Sequence, residues 1–383
     1  MADKLLYHLA MPEPAQRPKY RQVFDALERE IVSGRLKAGD RLPSEAELER
    51  RFEASRITVG RAVRDLQLAG MVERRAGSGS FVKGRNLADA RFFGLLIPDL
   101  GETEIFEPIC QGMMASPLAR QHALLWGSLP GGAASKADRA RQLCRQFIDR
   151  RVSGVFFAPL ELTPDKDAVN LEIAQALDAA RIPVVLLDRT VVAYPERGVH
   201  DLVGIDNRRA GYRITEHLLR LGASSMRIAF VGVEHAAATV QAREAGYREA
   251  LHVWQAPAAR ELVHRLDPTD IERVRGVMEG TRPDAIVCAN DWTAARLMHS
   301  ILALGYAVPG DVRLAGIDDM DYASLLPVPL TTLRQPTRAI GAAAFAAMLD
   351  RLSRPDTPVR DIFLQADLVV RRSCGTAREP GAG

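Results

Sequence analysis

Apolar residues recur at a helical spacing near the start of the chain. In the segment Tyr20–Val32, the apolar residues Val23, Leu27 and Ile31 are four residues apart, with Phe24 beside the first of them and charged residues on the opposite side. This spacing predicts an amphipathic helix. The helix is expected to end at the glycines that follow.

Two serines mark the starts of two further helices. Ser44 is followed three residues later by Glu47, which predicts an N-cap with a capping box. Ser55 has the position of a second N-cap, and the helix after it is expected to stop at Gly70. The side chains expected to face the core are Ala46, Leu48 and Phe52 in the first of these helices and Ile57, Val59, Val63, Leu66 and Leu68 in the second.

The segment Met71–Val82 has the pattern of a β-hairpin, with a Gly-Ser-Gly turn between two short strands. Two capped helices and a hairpin also fit a small α+β domain of any function. The charge favours nucleic acid, because residues 56–85 contain seven Lys or Arg against two Asp or Glu, whereas residues 86–383 carry a net charge of −2. A local basic surface is typical of phosphate contact, so we expect one helix in the major groove of DNA and the hairpin beside it.

From Phe92 onward, nearly continuous apolar runs alternate with helical stretches such as Ala137–Arg150, Leu171–Arg181, Arg208–Leu221 and Trp292–Leu304. Buried strands separated by helices predict parallel sheets that are covered on both faces. The predicted strands are Phe93–Pro98, Ala123–Trp126, Gly154–Ala158, Val184–Asp188, Leu202–Ile205, Ile228–Val231, Ala285–Cys288, Leu314–Ile317 and Ile362–Val370.

Polar residues directly follow several of these strands. Each pair alone is explained by a helix cap or a turn. Together they predict a polar cleft, because parallel sheets of this kind bind ligands at the carboxyl ends of their strands. The pairs are Pro98-Asp99, Asp188-Arg189, Asp206-Asn207, Asn290-Asp291 and Asp318-Asp319.

Composition indicates a globular protein of two or three domains, with 383 residues, 47% of them apolar and 26% charged. No run reaches the ~18 apolar residues of a membrane-spanning helix, and the start of the chain lacks the apolar segment of a secretory signal. The four cysteines are too far apart for a zinc site or a disulfide framework. We therefore expect a cytoplasmic protein that uses no metal or cofactor and no membrane.

Three segments in a fixed order carry a family resemblance in the first part of the chain: G-x-L-x-x-G-D-R-L-P-S-E at Gly34–Glu45, S-R-I-T-V at Ser55–Val59 and E-R-R-x-G-S-G-S-F-V at Glu73–Val82. Through them the first part of the chain resembles the α+β winged helix-turn-helix domain of the GntR family of bacterial transcription regulators. The DNA-binding residues that the resemblance implies are Ser44, Glu45, Ser55, Arg56, Thr58, Arg61, Arg64, Arg75, Gly77, Ser78 and Gly79.

The chemistry of these residues suits both base and backbone contacts. Arg56 can bind guanine through two hydrogen bonds, and Thr58 can reach a phosphate or a thymine methyl group. Gly77 corresponds to the glycine at the tip of the wing, which enters the minor groove. Ser44 can offer a phosphate its hydroxyl or the N-terminus of its helix.

Three positions depart from the family pattern. Ala46 and Gly60 stand where the family commonly has Arg, and Ala76 stands where it often has a polar or basic residue. Arg61 and Arg64 are available to take over contacts with the DNA backbone. We therefore expect DNA binding, with an operator that differs from the family's commonest sequence.

Five shorter segments carry a second resemblance: I-P-V-V-L-L-D-R at 182–189, A-R-E-A-G-Y at 242–247, C-A-N-D at 288–291, G-I-D-D at 316–319 and P-L-T-T-L-R-Q-P at 329–336. Through them Phe92–Cys374 resembles the effector-binding domain of the LacI/GalR family, which is itself similar to periplasmic sugar-binding proteins. The resemblance implies an α/β fold of two doubly wound parallel-sheet subdomains. Crossover segments would join the subdomains, which close on a ligand by a hinge.

The second resemblance also implies a set of effector-binding residues at the strand ends. A carboxylate accepts hydrogen bonds from neighbouring hydroxyls, and Arg and Asn donate to hydroxyl or ring oxygens, which suits a sugar. Phe106 is a candidate for stacking on a sugar face, as is Trp126, although an aromatic in such a sheet is more often part of the core. The implied effector-binding residues are Asp188, Arg189, Arg243, Asn290, Asp318 and Phe106.

These interpretations divide the chain into a flexible N-terminus (1–18), a winged helix-turn-helix domain (19–82), a linker (83–91), an effector-binding and dimerisation domain (92–374) and a flexible tail (375–383). The linker has no hinge helix of the LacI type, so effector binding is expected to act by repositioning the winged helices of a dimer.

The function expected is that of a regulator, most simply a repressor, which binds a palindromic operator as a homodimer and responds to a sugar-like effector. A nucleoside or purine effector is the main alternative, and a solute receptor without a regulatory role is another. No catalytic spacing indicates an enzyme.

Overall fold

The computed structural model describes residues 19–32, 35–37, 39–68, 71–75, 78–82, 91–98, 104–126, 135–222, 226–256 and 262–376. The chain forms two compact units, Met1–Ala90 and Arg91–Gly383. The predicted flexible N-terminus, positions 83–90 of the predicted linker and positions 377–383 of the predicted tail lie outside the described residues.

The N-terminal unit contains the three helices and the hairpin expected from the sequence. They are α1 (Lys19–Val32), α2 (Glu45–Phe52), α3 (Arg56–Leu68), β1 (Val72–Arg75) and β2 (Gly79–Val82). Strands β1 and β2 pair antiparallel, and α3 packs against α1, α2 and β1. The buried core of this unit consists of Val23, Phe24, Leu27, Ile31, Leu42, Leu48, Val59, Ala62, Leu66, Val72 and Val82.

The predicted helix starts are confirmed. Ser44 accepts from the backbone N–H of Glu47, and the Glu47 carboxylate accepts from the backbone N–H of Ser44 at 2.7 Å, which completes the capping box. The Ser55 hydroxyl accepts from the backbone N–H of Thr58 at 3.3 Å. These caps fix where α2 and α3 begin.

Two residues predicted to face the core are exposed instead. Ala46 lies two positions before the buried Leu48, and Ile57 lies two positions before the buried Val59. Residues two positions apart in a helix are about 200° apart around its axis, so each points away from the core side. The assignment of Ile57 and Ala46 to the core was wrong for this reason. The side chain of Leu68 lies outside the described residues.

The second unit contains two six-stranded sheets. Each sheet, together with the helices that cover it, forms a lobe, and we call the two the first lobe and the second lobe. The first lobe has the strand order β4-β3-β5-β6-β7-β13, and all of its strands are parallel. Its strands are β3 (Phe92–Leu96), β4 (Ala123–Trp126), β5 (Gly154–Phe157), β6 (Val184–Leu187), β7 (Asp201–Ile205) and β13 (Asp361–Leu364).

The second lobe has the order β9-β8-β10-β11-β12-β14, and only its last strand is antiparallel. Its strands are β8 (Ile228–Gly232), β9 (Val263–Arg265), β10 (Ala285–Cys288), β11 (Arg313–Asp318), β12 (Thr331–Arg334) and β14 (Asp367–Val369). The prediction of two parallel-sheet α/β subdomains is confirmed. The run Ile362–Val370, predicted as one strand, is two strands that belong to different sheets, and β9 and β12 were not predicted.

Eight helices connect and cover the strands of the second unit among the described residues. They are α4 (Phe106–Ala115), α5 (Lys136–Asp149), α6 (Lys166–Ala179), α7 (Asn207–Gly222), α8 (Ala238–Val253), α9 (Ile271–Gly280), α10 (Asp291–Ala303) and α11 (Thr337–Ser353). The four stretches named from the sequence correspond to α5, α6, α7 and α10. No helix in the part of the chain that the structure describes is long and apolar enough to cross a bilayer.

The chain passes between the lobes three times through very short connections. Asp206 lies between β7 and α7, Gln335 and Pro336 lie between β12 and α11, and residues 365–366 lie between β13 and β14. Few backbone dihedral angles are therefore available to change the angle between the lobes. This geometry is typical of hinged domain closure.

Each lobe contains a pair of helices in close contact through glycines. An added Cβ would lie 2.1 Å from the Arg338 carbonyl oxygen at Gly112 and 2.0 Å from the Ile109 carbonyl oxygen at Gly341, where α4 meets α11. In the second lobe, α7 and α8 meet in the same reciprocal way through Gly211 and Gly246. Both helix pairs require glycine because backbone touches backbone.

We expect the substitution Gly246→Ala to destabilise the second unit by about 1–3 kcal/mol, because the new methyl group overpacks the contact between α7 and α8. Its Cβ would lie 1.8 Å from the carbonyl oxygen of Arg208. Gly276→Ala in α9 is the matched control, since no atom lies within 4 Å of its Cβ, and there we expect stabilisation of up to about 1 kcal/mol. Calorimetry of the full chain measures both changes. Equal stability of the Gly246 variant and the wild type would contradict the close packing.

Candidate nucleic-acid interface and effector cleft

The first turn of α3 presents a charged side chain to solvent. The Arg56 side chain is 81% exposed, and its Nε lies 3.5 Å from Glu45 Oε2 on α2. This exposed ion pair orients the guanidinium without burying it, so its N–H groups are available to an acceptor. Both residues belong to the predicted DNA-binding set.

Two further arginines of α3 are exposed. The Arg61 guanidinium lies over the Tyr20 ring at 3.8 Å from the ring centroid, which restricts its position through a cation–π contact. Arg64 donates from Nε to the carbonyl oxygen of Gly60 at 3.4 Å. An added Cβ at Gly60 would meet no atom within 4 Å.

The predicted wing residues lie on the hairpin. Arg75 donates to Glu73 at 2.8 Å, and its guanidinium lies over the Phe81 ring at 4.6 Å. Ser78 donates its backbone N–H to the Arg75 carbonyl at 3.0 Å. Gly79 has φ +106°, a conformation that favours glycine. Gly77 and Ala76 lie outside the described residues.

The predicted hydroxyl groups are engaged at helix starts. Ser44 also donates from Oγ to Glu47 at 2.8 Å, and the Ser55 and Thr58 hydroxyls share a hydrogen bond of 2.9 Å. These side chains stabilise the first turns of α2 and α3. Because a hydroxyl has one proton to donate, a phosphate contact from the Ser44 hydroxyl would replace its hydrogen bond to Glu47.

Charged side chains from the first lobe meet at the ends of β5 and β6. Asp188 is buried and has φ +65°, and its atom Oδ1 has no hydrogen-bond partner. Arg189 contacts Glu161 at 2.8 Å and donates to the Pro159 carbonyl at 3.2 Å. Gly204 on β7 allows the close approach, because its Cβ would lie 3.1 Å from the Asp188 backbone. Backbone strain of this kind clusters at functional sites.

A buried guanidinium organises the corresponding edge of the second lobe. Arg243 donates to the Asn207 side chain at 2.8 Å, to the Ala289 carbonyl at 2.7 Å and to Asp318 at 3.4 Å. Gln335 donates to the same Asp318 oxygen at 2.7 Å, and its own carbonyl oxygen is buried without a partner. A buried polar atom without a partner in the protein can accept a further hydrogen bond from water or a ligand.

The two residues at the start of α10 have different roles. Asn290 is the N-cap, because its side chain accepts from the backbone N–H of Thr293 at 2.8 Å. Asp291 is fully buried and accepts from the Thr332 hydroxyl at 2.6 Å and from the backbone N–H of Met320 at 3.1 Å. Gly316 leaves space for Asp291, since a Cβ there would lie 2.3 Å from its carboxylate. Asp291 therefore positions neighbouring segments.

The aromatic candidates from the sequence are placed differently. Phe106 is 1% exposed and lies under the Arg189 guanidinium at 5.0 Å, so its ring faces are already covered. Trp126 is 42% exposed at the end of an edge strand. Trp292 and Tyr322, which the sequence analysis did not select, line a cavity between the lobes together with Asn290 and Asp318. The structure thus removes Phe106 from the stacking candidates.

Two cavities border the buried charges. The smaller, of about 80 Å³, contains Asn290 and Asp318 in its wall, and the larger, of about 350 Å³, contains Asp188. Hydrogen bonds connect the lobes across the cleft, from the Leu162 N–H to the His235 carbonyl at 2.8 Å and from the Ala237 N–H to Glu161 at 3.3 Å.

The cleft carries more negative than positive charge. Burial raises the pKa of Asp318 to about 6, with Arg243 opposing the shift and the nearby carboxylates adding to it. Burial also raises the pKa of Asp188, against the effect of Arg189. Burial, together with Asp318, raises the pKa of Asp291 to about 7. Charge alone therefore favours hydrogen-bond donors over anions as ligands.

The structure adds Glu161 and Gln335 to the predicted polar cleft. Asn207 belongs to the pair Asp206-Asn207 that was predicted to border the cleft, and Gln335 lies inside the family segment at 329–336. Glu161 had no comparable signal because it lies in a loop. Within the described ranges, no group of three His, Cys, Asp or Glu residues is arranged to hold a metal ion.

We expect Asp291→Asn to flatten the pH dependence of stability. An unfolded aspartate titrates near pH 3.9, whereas folded Asp291 has a pKa of about 7. The folded state therefore binds the additional proton between these values, and the free energy of unfolding contributed by this group falls as pH rises from about 4 to 7. The variant should gain stability relative to the wild type over this interval.

Chemical denaturation at several pH values between about 4 and 7 measures this difference. Asp356→Asn, on an exposed turn, makes the same chemical change outside the cleft and controls for the loss of a charge. Parallel curves for the wild type and the Asp291 variant would contradict the raised pKa.

Two family models match separate parts of the chain. Residues 19–82 match the model described as bacterial regulatory proteins of the gntR family. Residues 215–374 match the model described as a periplasmic binding protein-like domain. The matched segments coincide with the winged unit and with most of the second lobe, and both resemblances seen in the sequence are confirmed.

Curated relatives of this chain are transcriptional regulators. The arabinose metabolism transcriptional repressor of Geobacillus stearothermophilus is 27% identical over 371 residues, which cover 93% of this chain and 97% of that protein. The HTH-type transcriptional repressor PurR of Vibrio atlanticus is 27% identical over 244 residues, 62% of this chain and 69% of that protein.

Among solved structures, the transcription regulator GntR from Chromobacterium violaceum has a TM-score of 0.58 and 27% identity, covering 75% of this chain and all of that one. These relatives are regulators and not enzymes, in agreement with the absence of a catalytic spacing in the sequence. The chain is therefore a transcriptional regulator in which residues 19–82 match the gntR family of bacterial regulatory proteins and residues 215–374 match a periplasmic binding protein-like domain.

Proposed function

We propose that the protein is a bacterial repressor that binds a palindromic operator as a homodimer and is controlled by a neutral, hydroxyl-rich effector in the cleft between its lobes. Helix α3 would lie in the major groove and the β1–β2 hairpin beside it. A homodimer suits this arrangement because two-fold symmetry of the protein matches a palindrome. The cytoplasm, where the bacterial chromosome lies, is the expected site of action.

The single observation that supports the DNA interface best is the exposed first turn of α3. The Arg56 guanidinium is exposed and held near Glu45, so its N–H fork can reach the edge of a guanine. Arg61 and Arg64 extend the exposed basic side of the helix, which suits the DNA backbone.

We expect Arg56→Ala to weaken specific operator binding by about 1–3 kcal/mol and to relax the choice at one base pair in each half-site. Binding of the full chain to operators obtained by in vitro selection measures both effects. Arg145→Ala, an exposed position on α5, removes the same charge outside the interface. An unchanged selected sequence for the Arg56 variant would contradict the assignment of the recognition helix.

The chemistry of the cleft supports a neutral polyol as the effector. Asp188, Glu161 and Asp318 supply acceptors, while Arg189 and Arg243 provide two cationic groups among them. An anion such as a sugar phosphate would add to the excess negative charge, whereas hydroxyl groups donate to carboxylates. The arabinose repressor of Geobacillus stearothermophilus is similar over 93% of this chain, which also supports a sugar.

A purine or nucleoside effector is the second candidate. Trp292 and Tyr322 line the smaller cavity. The Arg296 guanidinium lies over the Trp292 ring at 4.2 Å, so a base could stack on the other face of Trp292 or on Tyr322. The PurR relatives, of which this chain covers about two thirds, are consistent with that alternative. The carboxylates of the cleft favour the sugar over a free base, because a sugar offers several hydroxyl donors and a base only its few N–H groups.

The effector would act by changing the angle between the lobes. Asp188 and Asn290 line different cavities, so a ligand that contacts both would require the lobes to change their relative position. Gln335 donates to Asp318 and lies in a connection between the lobes, so a ligand at Asp318 bears directly on the hinge. A ligand that binds more tightly at one angle between the lobes shifts the population of molecules toward that angle.

We expect a thermal-shift screen of the full chain to find a neutral sugar that raises the unfolding temperature, because a ligand that binds only the folded state stabilises it. Asp188→Asn should abolish this shift and the effector's influence on operator binding, while operator affinity without effector stays unchanged. Asp165→Asn, exposed before α6, is the control.

The outcomes of the screen separate the candidates. If only purines or nucleosides raise the unfolding temperature, the effector would be the second candidate and not a sugar. Stabilisation by sugar phosphates in preference to free sugars would contradict the argument from charge. A retained sugar response in the Asp188 variant would place the effector elsewhere.

A further inference from the structure

One side of α3 faces away from the core of its unit and carries an apolar residue among basic ones. Ile57, Gly60, Arg61 and Arg64 have the i, i+3, i+4, i+7 spacing that places residues on one helix face. The opposite side is formed by Val59, Ala62 and Leu66, which are buried. Ile57 is 81% exposed and lies near the middle of the exposed face.

Exposure alone does not give Ile57 a role, because single apolar residues are common on protein surfaces. Its position is the informative feature. Ile57 lies in the first turn of the helix, beside the exposed Arg56 and one turn before Gly60 and Arg61. In helix-turn-helix proteins the N-terminal residues of this helix contact base edges.

The neighbours of Ile57 on its face are suited to close approach to a duplex. Gly60 has no side chain, and the space around its Cα is open, since an added Cβ would meet no atom within 4 Å. Arg61 and Arg64 on the same face carry charges that DNA phosphates attract. This face of α3 therefore presents two cationic side chains, a glycine without a side chain and the single apolar side chain of Ile57.

An isoleucine discriminates among the base edges of the major groove. Guanine, adenine and cytosine present mainly donors and acceptors there, whereas thymine also presents a methyl group. A side chain without donors or acceptors would remove water from polar edges and give no hydrogen bond in return. Contact with the thymine methyl group buries apolar surface on both partners.

We propose that Ile57 is a specificity-determining residue that reads a thymine methyl group in each operator half-site, and that Gly60 lets the helix approach the groove closely enough for this contact. The inference rests on the proposed DNA interface. It explains why an apolar side chain is kept exposed where the helix begins. It also gives a structural reason for the glycine that stands where a basic residue is common.

The test begins with an operator obtained by in vitro selection with the full chain. Each thymine of a half-site is then replaced in turn by deoxyuridine, which removes only the methyl group. With the wild-type chain we expect one position in each half-site at which the replacement weakens binding about fourfold, the effect of burying one methyl group.

The same pair of operators is measured with variants of Ile57. In Ile57→Ala the difference between thymine and deoxyuridine should vanish, and in Ile57→Val most of it should remain. Arg64→Ala is the matched control on the same face and should weaken binding to both operators by the same factor. The far-ultraviolet circular dichroism and the binding of unrelated DNA should be unchanged in the Ile57 variants.

The substitution Gly60→Ala tests whether α3 must approach the DNA groove closely. Alanine favours the helix and has open space in the free protein, so the variant should fold at least as stably as the wild type. It should nevertheless bind the selected operator more weakly. Undiminished operator binding by Gly60→Ala would overturn the close approach.

Two results would overturn the methyl contact: no sensitivity to deoxyuridine at any thymine of the half-site, or an undiminished sensitivity in Ile57→Ala. Failure of the wild-type chain to select any sequence would instead contradict the proposed DNA interface itself. The two failures are therefore distinguishable in one set of measurements.

Discussion

A charge can be buried only where its polar atoms find partners, and this constraint shapes the cleft around Arg243. Its guanidinium connects the start of α7, the end of β10 and the end of β11 through Asn207, Ala289 and Asp318. Three separate segments of the second lobe are thereby held at fixed distances from one another. The polar edge of the second lobe is therefore held in place by hydrogen bonds within the protein itself.

One of the connections between the lobes is hydrogen-bonded to the polar edge of the second lobe. The connection that follows β12 contains Gln335, which bonds to Asp318 at the edge of the cleft. A change in the hydrogen bonds of Asp318 therefore acts on the hinge without a chain of intermediate residues. Because the connections are so short, the lobes can rotate only about a narrow set of dihedral angles.

The features that the sequence predicted are local or periodic. The capping box at Ser44 and Glu47 depends on residues three positions apart, and the buried strands are continuous apolar runs. Asp318 was found because a family segment marks the end of its strand. Gln335 was missed because its partner lies 17 residues away. Ile57 was wrongly predicted to face the core because the apolar spacing of α3 was counted from Ile57, whereas the buried side begins at Val59. Its exposure on the opposite side of the helix was therefore not predicted.

The order of strands has a consequence for synthesis on the ribosome. The first lobe begins at Phe92, yet its edge strand β13 ends at Leu364, and helix α11, which packs on α4, comes after the first five strands of the second lobe. The N-terminal unit is complete within the first ninety residues. The N-terminal unit can therefore fold early in synthesis, whereas the first lobe is completed only after most strands of the second lobe have been synthesised.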